Sequence, residues 1–211
     1  MGAALRRLAP GKRLERIENG VDTDRYRPPE PGERERLRGE LGWDDRRRAL
    51  FVGRLVAKKG VHVALDAARH GDFELVVAGP GRLPADAPPN VTALGALPPA
   101  RVAELYRAAD AFLLPSRGEG FPLTVQEAMA SGLPVVLSDD PGYRSSLEGA
   151  GAGATQVALD GARIAEVIES LDPGAGAAAA EHARRAFSWH AAADAHERLY
   201  AELLRTSCIA R

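Results

Sequence analysis

The sequence predicts an α/β fold with a doubly wound parallel sheet of about six strands and helices on both faces. Short segments of consecutive apolar residues alternate along the chain with segments of helical periodicity. The apolar segments are not broken at every second position, which is typical of strands covered on both faces. The chain has 211 residues, enough for one large domain with a substantial core. Right-handed crossovers would bring the loops after the strands to one edge of the sheet, where such folds bind ligands.

The first half of the chain predicts strand and helix units after an irregular start. Leu14 and Ile17, set among charged residues, suggest a short strand at 13–18 that Asn19-Gly20 turns. Helix-forming residues then fill 33–41, and the glycine after them suits a helix end. Apolar periodicity predicts strands at 48–53, 73–78 and 90–94, with helices at 61–70 and 98–109.

The second half continues the same alternation. It predicts strands at 111–114, 134–137 and 155–158, with helices starting at Pro122 and lying at 143–147 and 164–171. The segment 173–180 is rich in Ala and Gly and fits either a loop or a helix. Ser188 would cap a last helix, 189–204, in which Trp189 and Tyr200 are expected to be packing anchors.

The composition excludes several classes of function. With 28 basic and 29 acidic residues the net charge is -1, so no global field would gather nucleic acid or an anionic membrane. No apolar run approaches the roughly 18 residues of a membrane span. The one cysteine, Cys208, allows no internal disulfide framework and no cysteine-based metal site, which fits a reducing cytoplasm. We therefore expect a cytoplasmic protein without a nucleic-acid partner.

The stretch 117–136 predicts a binding site for a phosphate flanked by hydroxyl groups. Pro122 suits the first helical position, so the free N–H groups of Leu123 and Thr124 would point out of the helix start toward an anion. Glu119 lies in the loop before this helix and Glu127 lies one turn inside it. Carboxylates should not bind the phosphate itself, so we expect them to accept hydrogen bonds from hydroxyls on either side of it. A ligand with that order of groups is a sugar nucleotide.

The loop 53–60, after the predicted strand 48–53, supplies candidate cations. Gly53 permits close backbone approach, Arg54 offers a two-pronged guanidinium and Lys59 adds a point charge just before a helix. Taken alone, these cations fit a solvated surface loop equally well. The loop lacks both the Gly-x-x-x-x-Gly-Lys-Ser/Thr phosphate loop and the Gly-x-Gly-x-x-Gly dinucleotide fingerprint.

Other polar residues at the same edge are given structural interpretations. The segment 78–82 is interpreted as a plain glycine turn, and 95–98 as backbone that could meet a flat base. Asp139 and Asp140 could line the pocket, although a turn is the simpler interpretation. Surface or packing roles are expected for His62, His70, His182, His190 and His196.

Together these segments resemble the C-terminal, donor-binding half of a GT-B glycosyltransferase of the retaining family 4 (group 1) type. The resemblance rests on five motifs in family order over about residues 13–205: Asn19-Gly-Val-Asp22, Gly53-Arg-Leu with Lys59-Gly60, Ala109-Asp-Ala-Phe-Leu-Leu-Pro-Ser116, Glu119-Gly-Phe-Pro122 and Glu127-Ala-Met-Ala-Ser-Gly-Leu-Pro-Val-Val136. It implies one Rossmann-like half of a GT-B fold.

The resemblance also implies roles for individual residues. Arg54 and Lys59 match cations that hold the diphosphate and offset charge on the leaving group, so no metal cofactor is expected. Glu119 matches a carboxylate near the donor sugar and Glu127 one that accepts from the ribose hydroxyls. Backbone or base-contacting roles fall to Gly53, Leu97, Gly120, Phe121, Leu123 and Thr124. Pro122 stands where many members have Gly, which removes one N–H near the sugar and leaves the sugar open.

The resemblance covers only one of the two domains of such an enzyme. We therefore expect a fragment with a linker remnant at 1–12, a nucleotide-sugar-binding domain at 13–187, a helix at 188–205 that would cross to the missing N-terminal domain, and a tail at 206–211. The alternative is a natural split enzyme with the acceptor half on another chain. The apolar side of that helix would be partly exposed. The acceptor, a glycan, a lipid or a small molecule, would bind the missing domain. Peripheral membrane association of the full-length enzyme and the oligomeric state are left open.

The function that the resemblance implies is that of a hexosyl-type, retaining glycosyltransferase with a UDP-, GDP- or ADP-sugar donor. The isolated chain is expected to bind nucleotide without turnover. The alternative is a non-catalytic nucleotide-binding or regulatory module with the same fold. A nicotinamide-dependent enzyme is disfavoured by the missing glycine fingerprint.

Overall fold

The structure is a computed structural model that describes residue 7 and residues 10–172 and 174–209, with side chains as far as residue 205. Of the linker expected at 1–12, residues 1–6, 8 and 9 lie outside this part. Of the tail expected at 206–211, the last two residues and the side chain of Cys208 lie outside it.

Six parallel strands form one sheet in the order β3-β2-β1-β4-β5-β6. The strands are β1 (Arg48–Val52), β2 (Glu74–Ala78), β3 (Val91–Gly95), β4 (Ala111–Leu114), β5 (Val135–Ser138) and β6 (Ala154–Val157). Every residue of β1, β4 and β5 is buried, as consecutive apolar residues predict for central strands. The predicted fold class is confirmed.

Helices cover both faces of this sheet. The helices are α1 (Glu33–Glu40), α2 (Val61–His70), α3 (Pro99–Ala108), α4 (Leu123–Ala130), α5 (Arg144–Leu147), α6 (Gly161–Glu169), α7 (Ala175–Ala186) and α8 (Trp189–Ile209). One layer contains α2 packed on α6, and the other contains α1 on α3 and α4 between α3 and α7. Two layers are expected, because the chain winds from β1 toward β3 and from β4 toward β6 in opposite directions.

The short strand expected at 13–18 is not formed, so that prediction was wrong. Leu14 and Ile17 are three positions apart, whereas a strand facing a core needs a spacing of two. The segment is held by side chains instead: Arg16 donates to Ser146 Oγ at 2.7 Å, and the same hydroxyl donates to Glu18 at 2.7 Å. A single bridge, Val21 to Ser188, is the nearest approach to sheet pairing in this region of the described chain.

The Ala/Gly-rich segment, which the sequence left as a loop or a helix, forms the helix α7. Its small residues allow it to lie close to α4 and the turn that follows. A Cβ added to Gly176 would stand 2.4 Å from the carbonyl oxygen of Gly132. Bulky side chains at this contact would force the two segments apart.

The last helix differs from the expectation in two respects. Its cap is confirmed, since Ser188 Oγ accepts from the Ala191 N–H at 3.1 Å, but the helix runs to Ile209 rather than ending near 204. Trp189 and Tyr200 are 65% and 58% exposed, so their prediction as packing anchors was wrong. The apolar periodicity predicted the helix, but it could not show whether its apolar side chains are buried against the rest of the chain.

Candidate functional site

The candidate site lies between the loops that follow β1 and β4. These strands are neighbours, yet the chain leaves β1 toward β2 on one side and leaves β4 toward β5 on the other. This reversal creates a crevice at the carboxyl edge, which is where open α/β sheets bind ligands. The motifs singled out in the sequence at 53–60 and 117–127 border this one crevice.

The two loops are in direct contact. Arg117 N–H donates to the carbonyl oxygen of Lys58 at 3.1 Å. Gly60 has φ +74°, and a Cβ placed there would stand 2.0 Å from the carbonyl oxygen of Pro115. Only glycine fits such a position without strain, because the left-handed conformation and the close backbone both exclude a side chain. The loop with the cations is therefore fixed relative to the loop with the glutamate.

Three of the predicted residues, Gly53, Arg54 and Leu97, line one cavity of about 280 Å³ at the ends of β1, β2 and β3. Leu97 is half-buried, and Ala96 and Leu97 of the segment 95–98 form part of the wall. Arg54 is exposed, and its side chain makes no hydrogen bond or ion pair with the rest of the described chain, so its guanidinium is available to a ligand. The glycine turn at 78–82 also contributes Gly79 and Pro80 to this wall.

Lys59 and Glu119 form an ion pair across the crevice. Lys59 Nζ lies 3.2 Å from Glu119 Oε2, and both side chains are largely buried, with 17% and 15% exposed. Lys58 Nζ approaches the other carboxylate oxygen at 3.8 Å but is 58% exposed. The structure thus brings together two residues that the sequence placed in separate motifs, and Lys58 is an additional cation that the sequence reasoning did not select.

The loop 117–121 is held from both ends. Asp140 accepts from the N–H groups of Gly118 and Gly142, each at 2.8 Å, so its carboxylate organises backbone rather than facing a ligand. The turn interpretation of Asp140 is confirmed. Phe121 is buried, with its ring centroid 5.0 Å from that of Phe187. Gly120 lies exposed between these two anchors.

The start of α4 presents free backbone donors. Pro122 has φ -66° and ψ 138°, an extended conformation, so it precedes the helix and the first helical residue is Leu123. The prediction of Pro122 as the first helical residue was wrong by one position. Among the described residues the N–H groups of Leu123 and Thr124 have no hydrogen-bond partner. The first paired N–H at this helix start is that of Val125, which donates to the Pro122 carbonyl. Two orphan donors at a helix start suit an anion.

Glu127 lies one turn along the same helix and is surrounded by two tyrosines. The hydroxyl of Tyr106, a fully buried residue of α3, lies 3.3 Å from Glu127 Oε2. Tyr26, also buried, contributes a second hydroxyl interaction with this carboxylate. Burial raises the pKa of Glu127, whereas both hydroxyls and the charge of Arg25 oppose that rise. Burial beside this carboxylate also raises the pKa of Tyr106 well above its usual value.

The sequence reasoning missed both tyrosines. Neither tyrosine belongs to a motif that the sequence points to as a site. A signal was present, because a tyrosine on a buried helix face has a hydroxyl that needs a partner. The identity of that partner depends on how α3 packs on α4, and this packing cannot be read from the sequence.

Groups of three or more His, Cys, Asp or Glu residues placed to hold a metal ion do not occur in the part of the chain that the structure describes. Nor does any described helix combine the length and apolar character that crossing a bilayer requires.

Comparison with known proteins identifies the family. A sequence model for glycosyl transferases group 1 matches residues 33–172, which contain both loops of the crevice. The chain belongs to this family. The match confirms the resemblance predicted from the motifs.

Two relatives show the same relationship. The D-inositol 3-phosphate glycosyltransferase 1 of Catenulispora acidiphila is 34% identical over 222 aligned positions, which cover 90% of this chain and 52% of that protein. The D-inositol 3-phosphate glycosyltransferase of Rhodococcus jostii is 36% identical over 216 positions, covering 88% of this chain and 46% of that protein. This group 1 chain therefore spans about half the length of the curated relatives it matches.

Solved structures of glycosyltransferases share the fold. Sucrose-phosphate synthase from Thermosynechococcus elongatus superimposes with a TM-score of 0.78 at 25% identity, over 97% of this chain and 56% of that chain. HepE from Anabaena, solved in complex with UDP-glucose, gives a TM-score of 0.74 at 22% identity, over 93% of this chain and 59% of that chain. The group 1 chain thus has the Rossmann-like architecture of one GT-B half.

Proposed function

We propose that this chain is the donor-binding half of a retaining glycosyltransferase that uses a nucleotide-diphosphate sugar. The observation that carries the proposal is that two kinds of anion-binding group face each other across one crevice. Cations follow β1 on one side, and the free N–H groups of Leu123 and Thr124 follow β4 on the other. A diphosphate fits between them because both sides present positive potential.

Arg54 and Lys59 would bind the diphosphate in this arrangement. Arg54 is unpaired among the described residues, and Lys59 would exchange part of its contact with Glu119 for a phosphate oxygen. When the bond between the sugar and the diphosphate breaks, negative charge develops on the departing oxygen. Fixed cations and backbone donors stabilise that charge more in the transition state than in the ground state. We therefore propose a reaction that needs no metal ion, because the chain itself carries positive groups.

The groups on either side of the diphosphate would bind the two hydroxyl-bearing parts of the donor. Glu127 would accept from the ribose hydroxyls, and the base would lie against Leu97 in the cavity lined by Gly53 and Arg54. On the other side, Glu119 and the backbone N–H groups of Gly120 and Phe121 would bind the sugar. Gly120 is exposed, so its backbone N–H is accessible to a sugar.

The transfer step would retain the configuration of the sugar. The bond from the anomeric carbon to the phosphate oxygen breaks, and the diphosphate keeps the electron pair. The acceptor hydroxyl oxygen bonds to the same carbon on the face that the nucleotide leaves, and its proton passes to the departing phosphate. Groups that bind the acceptor would come from the other half of a protein of the relatives' length. The present chain would then bind nucleotide without turnover in the cytoplasm, where nucleotide sugars would serve as donors.

Calorimetric titration with UDP, GDP and ADP tests this proposal. We expect at least one of the three nucleotides to bind, and Arg54→Ala to weaken that binding about tenfold, as the loss of a charge-assisted hydrogen bond would. Arg163→Ala is the matched control, since Arg163 is a surface arginine on α6 that pairs with Glu166. If none of the three binds at millimolar concentration, the donor site is refuted.

A non-catalytic nucleotide-binding module is the second candidate. It would bind the same nucleotides, so only turnover by a protein containing both halves separates the two. The simultaneous presence of Arg54, Lys59, Glu119 and Glu127 around one crevice favours the enzyme. Release of nucleoside diphosphate from a nucleotide sugar by the two-half protein, and its loss in Glu119→Gln, is the expected result.

A further inference from the structure

Glu127 is the only one of the candidate binding residues whose carboxylate has partners from two other elements within the described chain. Tyr106 reaches it from α3 and Tyr26 from the loop before α1. Both rings are packed: the ring centroid of Tyr106 is 6.0 Å from that of Tyr26 and 5.8 Å from that of Phe112, each in an edge-to-face arrangement. The hydroxyls are consequently held in place by the core.

The hydroxyl of Tyr106 has two acceptors within reach, Glu127 Oε2 at 3.3 Å and the carbonyl oxygen of Thr124 at 3.2 Å. Helical pairing already supplies the Thr124 carbonyl with the N–H of Ala128. The charged acceptor gains more from the single hydroxyl proton, because hydrogen bonds to ionised groups are stronger. The Tyr106 hydroxyl therefore donates preferentially to the Glu127 carboxylate.

An ionised carboxylate has about four lone-pair positions for hydrogen bonds. Two tyrosine hydroxyls leave two positions, which is the number needed for the 2′- and 3′-hydroxyls of one ribose. The same two contacts fix the plane of the carboxylate, which a flexible glutamate side chain would otherwise leave free to rotate. The remaining positions then point away from the tyrosines.

We propose that Tyr106, with Tyr26 in support, is a positioning residue that orients the carboxylate of Glu127 for the two hydroxyls of the ribose. This inference rests on the proposed donor site. Neither tyrosine need touch the ligand, since both act through Glu127. The groups facing the carboxylate are Tyr106 from α3 and Tyr26 and Arg25 from the loop before α1; all three favour its ionised form, against burial.

The test compares a ribonucleoside diphosphate with its 2′,3′-dideoxy form. The tightest binder among UDP, GDP and ADP is titrated into the 211-residue chain and into Tyr106→Phe, which keeps the packed ring and removes only the hydroxyl. We expect Tyr106→Phe to weaken the ribonucleotide about tenfold and the dideoxy form less than twofold, in line with a hydrogen bond to a charged group. Tyr26→Phe should act in the same direction, and it provides a second variant if Tyr106→Phe does not fold.

A pH profile gives a readout that a purely structural role would not move. Removing a hydroxyl donor raises the pKa of Glu127, so the loss of ribonucleotide affinity on acidification should begin at a higher pH in Tyr106→Phe. Tyr143→Phe is the matched control, because Tyr143 is also fully buried and bonds Ser116 Oγ at 2.7 Å rather than Glu127. It should change neither the preference for the ribonucleotide nor the pH midpoint.

The outcomes are distinguishable. If the unmodified chain binds no nucleotide, the proposed function fails and this inference fails with it. If the chain prefers the ribonucleotide and Tyr106→Phe keeps both that preference and the pH midpoint, the donor site stands and the positioning role is refuted. If the unmodified chain binds both forms equally, the contact from Glu127 to ribose is refuted, and the role of the tyrosines with it.

Discussion

Lys59 Nζ and Glu119 Oε2 lie 3.2 Å apart and join the loop after β1 to the loop after β4. Both side chains are mostly shielded from solvent, so this pair is screened less than an exposed one. It also links the two groups to which the proposed reaction assigns opposite tasks, binding of the diphosphate and binding of the sugar. The lysine must therefore divide its charge between a resident carboxylate and an incoming phosphate.

Lys59→Met should weaken the binding of a nucleoside diphosphate about tenfold and leave the binding of the corresponding nucleoside unchanged. The reason is that, of the groups of the ligand, the lysine would contact only the phosphate. It would do so with a charge-assisted hydrogen bond that methionine cannot make. Lys58→Met is the matched control, since Lys58 is the adjacent residue but is 58% exposed. It should reduce affinity about twofold at most. Equal losses in the two variants, measured by calorimetry, would contradict a specific role for Lys59.

Glu119→Gln should produce the opposite effect on a nucleoside diphosphate. Removing the carboxylate leaves Lys59 without its resident partner, so the lysine becomes fully available to phosphate, and affinity should rise a few-fold. The same variant should bind the complete nucleotide sugar less tightly relative to the diphosphate, because a charged acceptor for the sugar hydroxyls is lost. Glu104→Gln, which alters a surface pair with Arg101, is the control. An unchanged ratio of the two affinities would show that Glu119 does not face the sugar.

Gly60→Ala should destabilise the protein by about 3 kcal/mol or more, because strain at φ +74° adds to the overlap with the carbonyl of Pro115. Gly42→Ala separates the two causes. Gly42 has nearly the same conformation, φ +67°, but nothing lies within 4 Å of an added Cβ. Its substitution should cost only about 1 kcal/mol. Urea unfolding of both variants measures the difference, and similar losses would mean that the contact between the two loops is not tight.

The sequence was sufficient to predict the sheet and the edge of the sheet at which the candidate site lies. The apolar segments that became β1, β4 and β5 are buried throughout, and Gly53, Arg54 and Lys59 follow β1 as expected. Two kinds of information were absent from it. The segment 13–18 is ordered by side-chain bonds to distant residues, which leave no periodic pattern in the sequence. The contacts of Tyr106 and Tyr26 with Glu127 depend on how α3 packs on α4, and this is a tertiary relationship that no local spacing encodes.

Glu127→Gln should stabilise the fold at neutral pH while weakening the ribonucleotide. Burial raises the pKa of Glu127, so the folded protein holds this proton more tightly than the unfolded chain does. As pH rises from the unfolded value of about 4.3 through the raised folded value, ionisation in the folded state becomes unfavourable and stability is lost. Glutamine has no such loss, and it keeps an oxygen for the Tyr106 hydroxyl.

The gain in unfolding midpoint of Glu127→Gln over the unmodified protein should therefore be largest near pH 7 and should shrink toward pH 4. Thermal unfolding over this range measures the difference, with Glu197→Gln as the control, since Glu197 is an exposed carboxylate on α8. A constant difference at all pH values would show that burial does not raise the pKa of Glu127 in the folded protein. A binding residue that reduces stability at neutral pH is expected where a carboxylate is placed for a ligand rather than for the fold.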